Sequence, residues 1–176
     1  MQTPPAVVSF PEETRLFFER LSEFMELPLY FYGSIQRWDY LPGCSDVDVA
    51  MFTPHMENAV IQLQSYFDIP REKIKRIQWR LDGHTIRGYK VHSTEGELSF
   101  DISLFHEKDK RRVLRQYKKE ANRPLWVLFV LLLLKYIYYY GFGGPTGPWK
   151  TIYVNTKNMI LNNGNTKNPD WTFSSV

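Results

Sequence analysis

The sequence predicts an α+β domain, and three observations support that prediction. Two helix-like segments, with apolar residues three or four positions apart, alternate with two short apolar runs typical of buried strands. Three further strand-like runs, joined by tight turns, follow between residues 74 and 105. Hydrophobic residues make up 43% of the chain and aromatic residues 16%, which indicates a folded domain with a substantial core rather than a disordered chain.

The predicted elements follow one another closely, with turn residues between them. The first helix carries Glu12 and Glu13 in its first turn, where the helix dipole favours acidic groups. The last three strands are separated by short Gly-containing turns, so we expect an antiparallel meander. In chain order we predict a helix from residue 11, a strand over 27–32, a loop through Pro42-Gly43, a strand over 46–52, a helix from Pro54 that ends before Pro70, and strands over 74–81, 85–92 and 98–105.

The C-terminal part consists of a charged helix, an apolar helix and a polar tail. Residues 125–134 are ten consecutive apolar residues, followed by Lys135 and a tyrosine cluster. A membrane span needs about 20 such residues, so we predict no transmembrane span. We expect a helix buried in the core or against a partner, with self-association through residues 125–140, and membrane contact is the alternative. The domain is placed at residues 1–140, with a Gly/Pro loop and an asparagine-rich tail packed on it at 141–176.

Charge is divided unevenly along the chain. Residues 1–70 carry three basic and ten acidic residues, whereas residues 71–123 carry fifteen basic and eight acidic ones. A basic surface can face a polyanion, so the run from Lys108 to Lys119 could bind nucleic acid, and a solvated helix face is the alternative. The single cysteine, Cys44, excludes an internal disulfide, and no signal peptide is visible, which together predict a reducing, cytoplasmic location.

The strongest functional signal is a Gly-Ser turn followed, after an eleven-residue spacer, by two alternating aspartates. Gly33-Ser34 can bring backbone N–H groups and a hydroxyl close to phosphate oxygens. Asp46 and Asp48 alternate with valines, so an extended strand places both carboxylates on one face. Asp101 stands alone in the middle of the last strand. If neighbouring strands bring the three carboxylates together, they can hold hard divalent ions, which suits phosphoryl or nucleotidyl transfer.

Other polar residues give less specific indications. Ser45 could orient Asp46 or act only as a turn residue. One of the basic side chains of the meander could contact a triphosphate, and the candidates are Arg80, Arg87 and Lys90. The four histidines show no metal-ligand spacing and are interpreted as scattered surface or core residues: His55, His84, His92 and His106.

Together these residues resemble the nucleotidyltransferase superfamily that includes DNA polymerase beta. Its pattern is an apolar residue, Gly, then Gly or Ser, a short spacer, and Asp-apolar-Asp/Glu-apolar. Tyr32-Gly33-Ser34 and Asp46-Val47-Asp48-Val49 fit this pattern, and the resemblance covers roughly residues 12–106. It implies a mixed, largely antiparallel sheet flanked by helices. The small size is similar to that of the minimal or antibiotic-type members.

The resemblance implies a metal-dependent enzyme that moves a nucleoside monophosphate from an NTP, with ATP as the expected donor, to an unidentified acceptor hydroxyl and releases pyrophosphate. Two Mg²⁺ ions, or Mn²⁺, would be the cofactor. The alternative is a catalytically inactive module of the same fold that binds nucleotide, nucleic acid or a protein partner. The implied metal ligands and catalytic residues are Asp46, Asp48 and Asp101, and the implied nucleotide-binding residues are Gly33, Ser34 and Ser45.

Overall fold

A mixed sheet with helices on both faces forms the body of the protein. The computed structural model describes residues 10–141, 148–162 and 172–174. The described elements are, in chain order, α1 (Glu12–Met25), β1 (Tyr30–Tyr32), β2 (Val47–Thr53), α2 (Met56–Phe67), β3 (Ile74–Leu81), β4 (His84–Glu95), β5 (Leu98–His106), α3 (Lys110–Ala121), α4 (Leu125–Tyr136), α5 (Pro148–Asn162) and β6 (Thr172–Ser174).

The strands lie in the order β1-β2-β5-β4-β3-β6 within the described residues. β2 and β5 are parallel, and every other neighbouring pair is antiparallel. The predicted meander of β3, β4 and β5 is therefore confirmed, and so is the mixed, largely antiparallel sheet. The first strand is shorter than predicted because Pro28 has no N–H to donate and also restricts the residue before it.

Strand periodicity separates the two faces of the sheet. Val49 of β2 and Ile102 of β5 are fully buried on the face covered by α1 and α2. Ala50 of β2 and Phe105 of β5 point to the other face, where α3 supplies Val113 to a second core cluster. Because successive side chains alternate, an acidic residue next to a buried valine must lie on the α3 side. Asp48 of β2 and Asp101 of β5 lie on this face of the sheet, beyond the second core cluster.

The apolar run forms α4 as predicted, but only one of its sides is buried. Val127, Leu128 and Leu131 lie in the interior, whereas Leu125 and Phe129 are 73% and 60% exposed. These three interior residues form a small cluster of their own with Ile160, so burial is confirmed for one side of the helix only, and self-association through residues 125–140 stays a prediction. In the described part of the chain no single helix is long and apolar enough to cross a membrane; residues 107–121 and 125–141 pass that test only as a pair bent by 82°, by length and composition alone.

The tail contains a helix that the sequence analysis did not predict. Residues 148–162 form α5, although Asn155 and Thr156 within it have low helix propensity and concealed the helical periodicity. The ring of Tyr153 stacks on that of Tyr138 just after α4, with centroids 4.2 Å apart. This contact places α5 against the body. The tetrapeptide Asn155-Thr156-Lys157-Asn158 of this helix recurs at residues 165–168, which lie outside the described residues.

Candidate active site

The structure brings the three predicted aspartates together at one end of the parallel strand pair. The register of β2 and β5 places Asp48 directly beside Asp101. Val47 and Phe100, each fully buried on the opposite face, fix this orientation. Asp46 precedes β2 and is exposed, and a carboxylate oxygen of Asp46 lies within 4.8 Å of one of Asp101.

The electrostatic environment of Asp46, Asp48 and Asp101 disfavours a negative charge on all three carboxylates at once. Burial, together with repulsion from Asp101 and Asp46, raises the pKa of Asp48 to about 7, although the ammonium groups of Lys90 and Lys157 oppose the rise. A bound cation would remove this penalty. The donor set consists of carboxylate oxygens, which are the ligands that Mg²⁺ and Mn²⁺ accept, so the residues present fit a divalent ion.

Two residues of β4 contact Asp101 directly. Nζ of Lys90 lies 2.8 Å from Oδ2 of Asp101, and Nδ1 of His92 lies 2.9 Å from Oδ1. The antiparallel register pairs His92 with Asp101, and the period of two puts Lys90 on the same face. The prediction of a basic residue near the site thus falls on Lys90, because Arg80 and Arg87 belong to the other face of the sheet.

Sequence spacing missed His92, since its contact with Asp101 crosses between two strands. A motif is recognised by its spacing along the chain, whereas the contact between His92 and Asp101 depends on how β4 and β5 pair across their turn. The predicted strands ended at residue 92 and began again at residue 98, which would pair those two residues. In the structure the chain turns at residues 96–97, so Glu95 pairs with Leu98 and His92 pairs with Asp101.

The Gly-Ser turn lies against Asp48. Gly33 has a φ of +75°, in the left-handed region that favours glycine, and starts a 3₁₀ turn that runs to Gln36. A methyl group added to Gly33 would lie 3.0 Å from Cγ of Asp48 and closer still to Oδ2. Only a glycine therefore allows this backbone to approach the carboxylate. Ser34 follows, partly buried, and its predicted nucleotide contact stays a prediction.

A buried ion cluster ties the loop after Gly33 to α4. Nε of Arg37 lies 2.7 Å from Oδ1 of Asp39, and Nζ of Lys135 lies 3.4 Å from Oδ2. Lys135 also donates to the backbone oxygen of Asp39 at 2.8 Å and to the hydroxyl of Ser45 at 3.1 Å. Ser45 thus holds the loop just before Asp46, and its predicted role in nucleotide binding stays a prediction. Asp39 and Lys135 are 96 residues apart, so no local sequence pattern predicted their contact.

We expect Asp39→Asn to weaken folding by about 2 kcal/mol at neutral pH, because two buried cations lose their counter-ion. Burial alone would raise the pKa of Asp39, but hydrogen bonds and charge from Arg37, with the charge of Lys135, outweigh it and lower that pKa. A lowered folded-state pKa stabilises the protein above the ordinary Asp range, and the contribution is lost as the pH falls through the folded value.

Urea unfolding of the parent and of Asp39→Asn between pH 3 and pH 7 measures this difference. The exposed Glu13→Gln is the matched control, and it should change stability by less than about 0.5 kcal/mol. Equal stability of Asp39→Asn and Glu13→Gln at pH 7 would show that the buried cluster does not hold the loop.

Comparisons with known proteins identify the family. The sequence profile of the nucleotidyltransferase domain matches residues 11–123. The chain therefore belongs to the nucleotidyltransferase domain family, which confirms the resemblance based on Gly33-Ser34 and the aspartates. No curated protein matches the chain.

Two solved structures show limited similarity to the chain. The structure of a GLD-2/RNP-8 complex is 12% identical with a TM-score of 0.39, over 90% of this chain and 58% of that one. The structure of a cytoplasmic RNA terminal U-transferase is 17% identical with a TM-score of 0.36, over 70% of this chain and 39% of that one. The chain thus spans less than two thirds of either protein.

Proposed function

We propose that this chain transfers a nucleoside monophosphate from an NTP to an acceptor hydroxyl in a metal-dependent reaction. The observation that supports this most is that Asp48 and Asp101 lie side by side on neighbouring strands, with Asp46 just before β2 and the Gly33 turn directly beside them. Burial and repulsion between the carboxylates keep the pKa of Asp48 raised even with Lys90 beside Asp101, and a bound cation would remove that cost. A purely structural protein would gain nothing from three clustered carboxylates.

In this proposal the three aspartates would share one task, holding the ion, and Asp101 would have a second. Asp46, Asp48 and Asp101 would hold the ion, which when bound supplies charge neutralisation for the phosphates and lowers the pKa of the attacking hydroxyl. The bond between the acceptor oxygen and the α-phosphorus forms as the bond from that phosphorus to pyrophosphate breaks. A carboxylate oxygen of Asp101 accepts the proton of the acceptor hydroxyl.

The turn and the nearby lysines would position the triphosphate. Gly33 has no side chain of its own, so the backbone N–H groups of its turn could approach a phosphate oxygen beside Asp48. Lys90, partly exposed beside Asp101, and Lys157 on α5 place two positive charges near the aspartates. Positioning and charge neutralisation of this kind supply most of the rate gain in phosphoryl transfer. We propose ATP as the donor.

The proposal is tested by incubating the protein with each α-labelled NTP, Mg²⁺ or Mn²⁺, and a panel of hydroxyl acceptors that includes oligoribonucleotides and small polyols. We expect a labelled product, with equimolar pyrophosphate, for at least one pair, and we expect EDTA to abolish it. Nucleotide binding without pyrophosphate release in any combination would overturn the proposal and favour an inactive nucleotide-binding module.

A further inference from the structure

We propose that His92 supplies a nitrogen ligand to the divalent ion, so that the site binds Mn²⁺ in preference to Mg²⁺. This inference rests on the metal site of the proposed function and adds one residue to it. The donor atoms of Asp46, His92 and Asp101 all lie within 4.8 Å of one another. Carboxylates suit Mg²⁺ and Mn²⁺ alike, whereas an imidazole nitrogen favours a transition-metal ion, so a nitrogen ligand shifts the preference of the site toward Mn²⁺.

The distances match an octahedral ion. Metal–ligand bonds of about 2.1 Å place adjacent ligand atoms about 3.0 Å apart and opposite ones about 4.2 Å apart. Nδ1 of His92 and Oδ1 of Asp101 are separated by 2.9 Å, which is the spacing of adjacent ligands. All three donor atoms lie within 4.8 Å of one another, an upper bound that exceeds the separation of opposite ligands by a small gap. Because Asp46 is exposed and His92 is 61% exposed, side-chain rotation can close that gap.

The two oxygens of Asp101 have separate partners, so an ion held with His92 need not compete with the ammonium of Lys90 for the same oxygen. Lys90 contacts Oδ2 and His92 contacts Oδ1. A cation between Oδ1 and Nδ1 would replace the shared proton of the hydrogen bond without disturbing the ion pair with Lys90. His92 therefore has access to the ion through an atom that already faces the site, and no strand needs to move.

The alternative is that His92 only orients Asp101 through the hydrogen bond. The two roles differ in an observable that does not depend on turnover: a directly coordinated imidazole gives a nitrogen hyperfine coupling to Mn²⁺, and a hydrogen-bonded one does not. Pulsed electron paramagnetic resonance of the Mn²⁺-loaded protein measures this coupling. Titration with Mn²⁺ and Mg²⁺ alone, followed by calorimetry, gives the affinities.

We expect a nitrogen coupling in the parent protein and its loss in His92→Gln. In the same variant Mn²⁺ affinity should fall about tenfold, and Mg²⁺ affinity less than about twofold. The control is His55→Gln, an exposed histidine that follows the opposite end of β2 and should leave both values unchanged.

Mn²⁺ binding without nitrogen coupling, or a coupling that persists in His92→Gln, would overturn this inference while leaving the proposed function intact. Failure of the parent to bind either ion would count against the metal site itself, and therefore against both proposals.

Discussion

Replacing Asp48 by Asn is expected to reduce the proposed nucleotidyl transfer by at least about 1,000-fold, because a carboxylate that we propose as a metal ligand becomes a neutral amide. The amide has the shape of the carboxylate, and Val47 and Val49 on either side keep the strand in place. Turnover of the best α-labelled NTP from the acceptor panel measures the loss. Measurable Mg²⁺ or Mn²⁺ binding should fall in parallel.

The same variant should gain stability, which separates loss of activity from loss of fold. The pKa of Asp48 is raised to about 7, so the stabilising contribution of its protonated form is complete below the ordinary Asp range and is lost as the pH rises through 7. In EDTA at pH 8 we therefore expect Asp48→Asn to be more stable than the parent by about 1–2 kcal/mol, a value reduced for partial solvent access. At pH 4 the difference should disappear. An active Asp48→Asn protein, or one destabilised at pH 8, would contradict this account.

Gly33→Ala is expected to lower kcat/KM by about 100-fold, which corresponds to roughly 2.7 kcal/mol of transition-state stabilisation. The added methyl group would collide with the carboxylate of Asp48, so either the turn or the carboxylate must move. Displacements of this size beside a reacting group are sufficient for such a loss.

Gly43→Ala provides a matched control. Gly43 also has a positive φ, +73°, in the same loop, but a methyl group there would meet nothing within 4 Å. Both variants should therefore lose about 1 kcal/mol of stability from backbone strain, and only Gly33→Ala should lose activity. Equal activity in the two variants would mean that the close approach of Gly33 to Asp48 has no role in the reaction.

The features that the sequence predicted well are those set by local periodicity. Asp48 and Asp101 each alternate with residues that are buried in the core, so the face they occupy follows from the pattern alone. Gly33 was recognised because a strand ends there. The family profile over residues 11–123 confirms the family resemblance that was based on these positions.

The features that the sequence did not predict depend on contacts between distant segments. His92 meets Asp101 through hairpin register, and Lys135 meets Asp39 across 96 residues of chain. Helix α5 was missed because its asparagines and threonines have weak helix propensity, and packing of Tyr153 against Tyr138 compensates for that weakness. Contacts between distant segments produce no periodic pattern in the sequence, so they cannot be predicted from it in this way.

The most direct test is the anomalous difference map of a crystal grown with Mn²⁺ and a nonhydrolysable NTP. We expect a peak within bonding distance of carboxylate oxygens from Asp46, Asp48 and Asp101, with the triphosphate against the Gly33 turn. A map in which the nucleotide is bound but no manganese peak lies beside these aspartates would contradict the claim that they hold the ion for nucleotidyl transfer.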